Sequence, residues 1–267
     1  MAGCIKGRAS RGQLFALKGR SLELASVKSL TPELRNNLEF HKALLARCPW
    51  RTIDLAARDR VQTLLYTDAS CEPSEGAFPL VKLCWMIFHQ GRSFGGVCTV
   101  PDRVLASFAT KKQYIAQGEA LAPLLALHFH PEPFRGASML CFIDNMAVLS
   151  GLTVGTSRVA DLGTILHATA LHLVNLNCQA WWEHVDSAAN PADGGSRVGV
   201  CCEIAKLLGT ELREYEFPAW PSDVINAKPE VWLRLLEETK RPQFVFRLEI
   251  SVHKRRERMK VPSSMDV

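Results

Sequence analysis

The stretch Val61-Gln62-Thr63-Leu64-Leu65-Tyr66-Thr67-Asp68-Ala69-Ser70 decides how the rest of the chain is read. Its β-branched and aromatic residues predict a strand from Val61 to Thr67, ended by the carboxylate of Asp68. Cys71 to Gly76 is rich in turn formers. Leu80 to His89 is strongly apolar, with a Trp, and reads as a second strand. Gln90-Gly91-Arg92 reads as a turn and Phe94 to Val100 as a third strand. Three strands joined by short loops predict an antiparallel meander.

After Pro101 the period changes. Ile115, Leu121, Leu124, Leu125 and Leu127 recur at helical steps until Pro131 and Pro133 stop them. Met139 to Ile143 is a short apolar strand that again ends in a carboxylate, Asp144. A second helix is predicted from a Ser157 cap through Val174, a fifth strand over Gln179 to Val185, and a last helix over Val198 to Leu208. The order βββαβαβα predicts an α/β protein: a five-stranded mixed sheet with helices on its faces.

Working outward, the 267 residues divide by charge. Residues 1–60 carry +7, residues 61–200 carry −3 and residues 201–267 carry +1, within a total of +5. We read 1–60 as a basic helical arm, with Thr31 capping a helix that Pro49 ends, 61–208 as the folded domain, and 209–267 as an extension of unassigned role. His253-Lys254-Arg255-Arg256-Glu257-Arg258-Met259-Lys260 in that extension is a basic cluster with the character of a solvated tail, a nuclear-import signal or a nucleic-acid patch. The longest apolar run, Leu83 to Phe88, is too short to span a bilayer. No secretory signal is apparent, and we expect an intracellular protein, nuclear or cytoplasmic and not secreted or membrane-bound. Nine cysteines without a CxxC pair read as reduced, core-filling residues. His128 and His130 read as the solvated end of a helix.

Four carboxylates stand out. Asp68 and Asp144 each close a strand, where a buried charge is costly unless a cation or donor offsets it. Glu119 lies early in the first long helix. Asp193 follows the fifth strand in Asn190-Pro191-Ala192-Asp193-Gly194-Gly195-Ser196-Arg197. Alone, each has an ordinary reading as a turn, a cap or a complement to a helix dipole. Together, Tyr66-Thr67-Asp68-Ala69-Ser70, Gln117-Gly118-Glu119, Ile143-Asp144-Asn145 and Asn190 to Arg197, separated by 51, 25 and 49 residues between carboxylates, resemble the ribonuclease H superfamily. More narrowly, they resemble the ribonuclease H domain of gypsy-like or tyrosine-recombinase retroelement reverse transcriptases. Pro49-Trp50-Arg51-Thr52-Ile53 is similar to the segment that joins polymerase to ribonuclease H in those elements.

The resemblance implies a ribonuclease H-like fold over 61–208. It implies that Asp68, Glu119, Asp144 and Asp193 hold two magnesium ions, for which manganese can substitute, and hydrolyse the RNA strand of an RNA–DNA hybrid. One ion would activate water and the other would stabilise the leaving 3′-oxygen. Ser70, Asn145, Lys111, Lys112 and Arg197 are the expected nucleic-acid contacts. No Tyr-x-Asp-Asp polymerase signature occurs, so a polymerase domain on another chain is an expected partner. The family's mobile histidine before the last aspartate has no clear equivalent. His184 falls at the end of the fifth strand, and Asp186 is an extra nearby carboxylate. The rival reading is a catalytically inactive ribonuclease H-like module that binds nucleic acid or protein, left from a truncated retroelement.

Overall fold

A computed structural model describes residues 60–109, 114–197 and 203–218, together with residues 35, 38, 39 and 42, which are helical. Most of the arm, Lys111, Lys112 and the basic cluster of the tail lie outside the described residues.

β1 (Gln62–Glu72), β2 (Leu80–His89) and β3 (Arg92–Val100) form the expected antiparallel meander. The β2–β3 hairpin closes over Gln90 and Gly91, both at positive φ (50° and 73°), as a two-residue loop with the right-handed strand twist requires. β4 (Ser138–Ile143) and β5 (Gln179–His184) run parallel to β1, giving the order β5-β4-β1-β2-β3-β6. The mixed sheet and the order of its first five strands are those expected. Helices α1 (Asp102–Leu105), α2 (Ile115–Phe129), α3 (Met146–Val154) and α4 (Ala160–Asn175) fill the connections between strands. The short α5 (Asp193–Ser196) and α6 (Glu203–Leu207) follow β5.

Strand alternation sorts the core. Leu65, Leu83, Trp85, Ile87, Met139, Cys141 and Ile143 point to one face, which α2 covers with Leu121, Leu124 and Leu125, and α4, with Ile165 and Leu166 buried in the same core, packs on α2. Each fully buried side chain of this size contributes about 1.5–3 kcal/mol. The other face is thinner: Met86 and Ala205 are buried there with Tyr66, Phe88 and Leu212 partly covered. Among the described cysteines Cys84, Cys98, Cys141 and Cys178 are buried, as core-filling thiols would be, and Cys71 is half-buried. No described helix is long and apolar enough to cross a membrane.

Four expectations need correction. β1 does not end at Asp68 but keeps its pairing with β2 as far as Glu72 opposite Leu80, which leaves Asp68 inside the strand opposite Cys84. A sixth strand, β6 (Glu211–Tyr215), pairs in parallel with β3. Its charged sequence suits an exposed edge, and the sheet therefore takes in residues beyond 208. The single helix expected after β4 is two, with α3 ending at Gly155 in the left-handed region (φ 80°). His130 is not solvated: it lies against the rings of Trp85, Phe94 and Tyr215.

Candidate active site

Asp68 comes from the middle of β1, Glu119 from the second turn of α2 and Asp144 from the end of β4. These elements meet because β4 lies beside β1 in the sheet and α2 crosses the covered face of β1 and β2. The crossing is close at Gly118: a Cβ there would stand 2.9 Å from Ala69 Cβ and 3.0 Å from Val81 Cγ1. Glycine lets the helix settle onto the sheet, and the next residue, Glu119, is thereby buried beside Asp68. One carboxylate oxygen from each of Asp68, Glu119 and Asp144 lies within 4.8 Å of the others.

The electrostatics are those of a site short of positive charge. Burial pushes the Asp68 carboxyl up from 3.8 to about 6, and the neighbouring Asp144 and Asp193 charges push the same way against a hydrogen bond from Ser196. Burial, then Asp68 and Asp144, drive Glu119 from 4.5 up to about 10, so that without a cation it holds a proton at neutral pH and meets Asp144 through a hydrogen bond. Glu119 Oε2 and Asp144 Oδ1 are buried where no protein donor reaches them. The proton shared between Glu119 and Asp144 offsets part of that cost, and a divalent cation would offset more.

The loop after β5 supplies further partners, and these the sequence reading missed. Ser187 Oγ donates to Asp144 Oδ2 at 2.7 Å. The buried Ser196 Oγ donates to Asp68 Oδ2 and also lies 2.9 Å from the Asp193 carbonyl oxygen. The buried Asn190 Nδ2 donates to the Thr67 carbonyl at 2.9 Å, while its Oδ1 accepts from Ala192 N at 3.1 Å. Gly195 sits directly over Cys84 of β2, where a side chain would collide with the sulfur. The Asn-Pro and Gly-Gly pairs marked this stretch as a turn; only the fold shows that the turn is stitched to β1.

Asp193 is placed differently from the other three carboxylates. It starts α5, near enough for its charge to act on Asp68, yet it is not among the carboxylates whose oxygens gather within 4.8 Å. Its Oδ1 pairs with Arg197 Nη2 at 2.7 Å. Ser70 donates to the Ser196 carbonyl at 2.5 Å. Asn145 caps α3, its Oδ1 accepting from the Ala147 and Val148 amides. His184 ends β5 and is exposed, as is Asp186, which precedes the turn that carries Ser187.

The donor set fits a divalent cation. Three carboxylates on converging elements, two of them with buried oxygens that no protein donor reaches, provide the hard oxygen ligands and negative charge that magnesium or manganese takes.

No protein-family model matches the chain, and no curated protein matches it in sequence. Among solved structures it is similar to RNase H1 from the halophilic archaeon Halobacterium salinarum NRC-1, at 20% identity and a TM-score of 0.34, over 50% of this chain and 92% of that one. It is also similar to the N-terminal RNase H domain of a Mycobacterium tuberculosis protein, solved as a fusion with maltose-binding protein, at 11% identity and a TM-score of 0.33, over 56% and 96%. The element order and strand directions described above are those of a mixed α/β sheet with helices packed on it.

Proposed function

We propose that the chain is a metal-dependent endonuclease that hydrolyses the RNA strand of RNA–DNA hybrids, as a ribonuclease H domain of retroelement type. The observation that carries this reading is the convergence of Asp68, Glu119 and Asp144, with one buried oxygen on each of Glu119 and Asp144 that no backbone or hydroxyl donor serves. Divalent cations held there would supply Lewis-acid stabilisation of charge on the phosphorane and on the leaving 3′-oxygen, together with a hydroxide-like nucleophile.

The chain's own residues prepare that site. Asp68 is central, because β1 holds it between Glu119 on one element and Asp144 on another. Ser196 and Ser187 each occupy one oxygen of Asp68 and Asp144, fixing the side-chain rotamers and leaving the remaining oxygens for a cation. Asn190 ties the post-β5 loop to the backbone of β1, which sets where Asp193 and Arg197 can stand. The exposed Arg197 would meet a phosphate, and Ser70, whose hydroxyl already donates to the Ser196 carbonyl, would meet a sugar hydroxyl as an acceptor. An RNA–DNA hybrid is read by shape and 2′-hydroxyls, which suits a site made of carboxylates and a few backbone-directed donors.

The second reading, a catalytically inactive scaffold that binds nucleic acid or protein, is favoured by one observation: Asp193 stands outside the cluster and is paired with Arg197. The two readings separate on strand selectivity. The full chain is incubated with hybrid, RNA duplex and DNA duplex, each labelled on one strand, with magnesium or with chelator. Cleavage confined to the RNA of the hybrid, dependent on magnesium and leaving 5′-phosphate ends, is the expected result. Metal-independent binding of all three without cleavage supports the scaffold.

A further inference from the structure

The loop that carries Asp193 is held rigidly, but its carboxylate is not. Asn190 bonds to Thr67, Ser70 bonds to the Ser196 carbonyl, Ser196 bonds to Asp68, and Gly195 lies flat on Cys84. These contacts fix the backbone of residues 190–196 against β1 and β2. The freedom left to Asp193 is rotation of its own side chain. In the structure that rotation is taken up by Arg197, whose Nη2 stands 2.7 Å from Asp193 Oδ1. The Arg197 side chain is 56% exposed and the Asp193 side chain 29% exposed, so the pair sits at the solvent rim of the site. Each of the other three carboxylates is already within the 4.8 Å cluster.

We propose that Arg197 latches Asp193 outside the carboxylate cluster in the free protein and releases it when a backbone phosphate of the nucleic acid takes the guanidinium, so that the fourth carboxylate joins the site only with substrate present. This rests on the ribonuclease reading of the cluster. The chemistry favours exchange. An exposed ion pair is weak and readily broken, whereas a planar guanidinium binds a phosphate through two parallel N–H donors. The exchange conserves charge at the rim: the phosphate replaces the carboxylate as the partner of Arg197, and the freed carboxylate adds the negative charge that a second dication needs. A site with three carboxylates holds one such ion more readily than two, and the latch thereby couples loading of the second ion to arrival of the phosphate.

The test is manganese binding to the full chain, followed by the electron paramagnetic resonance signal of the free ion. It needs no turnover. Wild type, Arg197→Ala, Asp193→Asn and the double variant are titrated, each first shown to melt as wild type does. Wild type should bind one ion per chain tightly. Arg197→Ala should bind a second ion about 2- to 5-fold more tightly than wild type, the most that losing an exposed pair releases. That gain should vanish in the Asp193→Asn background, because the released carboxylate is what binds the ion. A hybrid with a 2′-O-methylated, uncleavable RNA strand should tighten the second ion in wild type and do so less in Arg197→Ala. Its own binding should lose about one unit of salt slope in that variant. A manganese isotherm unchanged by Arg197→Ala overturns the latch. So does a gain that persists with Asp193→Asn, since it would report only a lost positive charge. If wild type binds no manganese, the ribonuclease reading itself falls, and the latch with it.

Discussion

Asp68 and Glu119 are buried carboxyls whose ionisation the metal-free fold resists, and this has a consequence for stability. Folding raises Asp68 from 3.8 to about 6 and Glu119 from 4.5 to about 10. Between the lower and upper values the folded state holds protons that the unfolded chain has already released. The metal-free protein therefore loses stability as pH rises through about 4 to 6 on account of Asp68, and on toward 10 on account of Glu119. Thermal melts in chelator should show a falling midpoint over that range, and magnesium should restore it most strongly at the alkaline end. Glu119→Gln removes the ionisable group while keeping its shape. It should flatten the alkaline fall, raise the midpoint in chelator at pH 8 and abolish the restoration by magnesium. A Glu119→Gln protein that melts lower than wild type in chelator at pH 8 would contradict this assignment of the cost. The sequence made these residues legible through their motifs. It could not show that Asp193 stands apart from the other three, because side-chain pairing with Arg197 is decided by local geometry that spacing does not encode.

The elements position the site through two close approaches and one stitch. At Gly118 the space for a side chain is already taken by Ala69 and Val81. Gly118→Val should lift α2 from the sheet, cost about 1–3 kcal/mol as overpacked sites do, and weaken manganese binding by displacing Glu119; denaturant titration and the manganese isotherm measure the two effects. Asn190→Ala leaves the Thr67 carbonyl and the Ala192 amide without their partners in a buried setting. It should cost about 1–3 kcal/mol, with proteolysis appearing first in residues 186–197. Elements legible in the sequence were those with a clear period: β2 matched its expected bounds of Leu80 to His89. α3 was missed because Met146–Val154 is apolar on nearly every side and shows no helical stripe, and its cap, Asn145, reads equally well as a polar site residue. β6 was missed because Glu-Leu-Arg-Glu-Tyr is the sequence of an edge that faces water, which resembles a loop. Asp68 was read as a strand end because carboxylates favour ends, whereas pairing with β2 carries the strand through it.

Across the whole molecule the mild net charge of +5 hides a division between a basic arm at +7 and a middle at −3 that contains the carboxylate cluster. Such a middle repels nucleic acid until cations load it, and phosphate binding then falls to basic segments elsewhere. Removing residues 1–59 should leave manganese binding unchanged while weakening hybrid binding and reducing its salt dependence, measured by fluorescence anisotropy between 50 and 200 mM salt. An unchanged salt slope would mean that the arm makes no phosphate contacts. The most direct test of the carboxylate cluster as a nuclease site is cleavage of an RNA–DNA hybrid by the full chain in magnesium, beside the Asp68→Asn and Glu119→Gln proteins. Wild type should cleave the RNA strand and neither variant should, although both remain folded. Absence of cleavage by folded wild-type protein at every magnesium and manganese concentration, or equal cleavage by the variants, would contradict that role of the cluster.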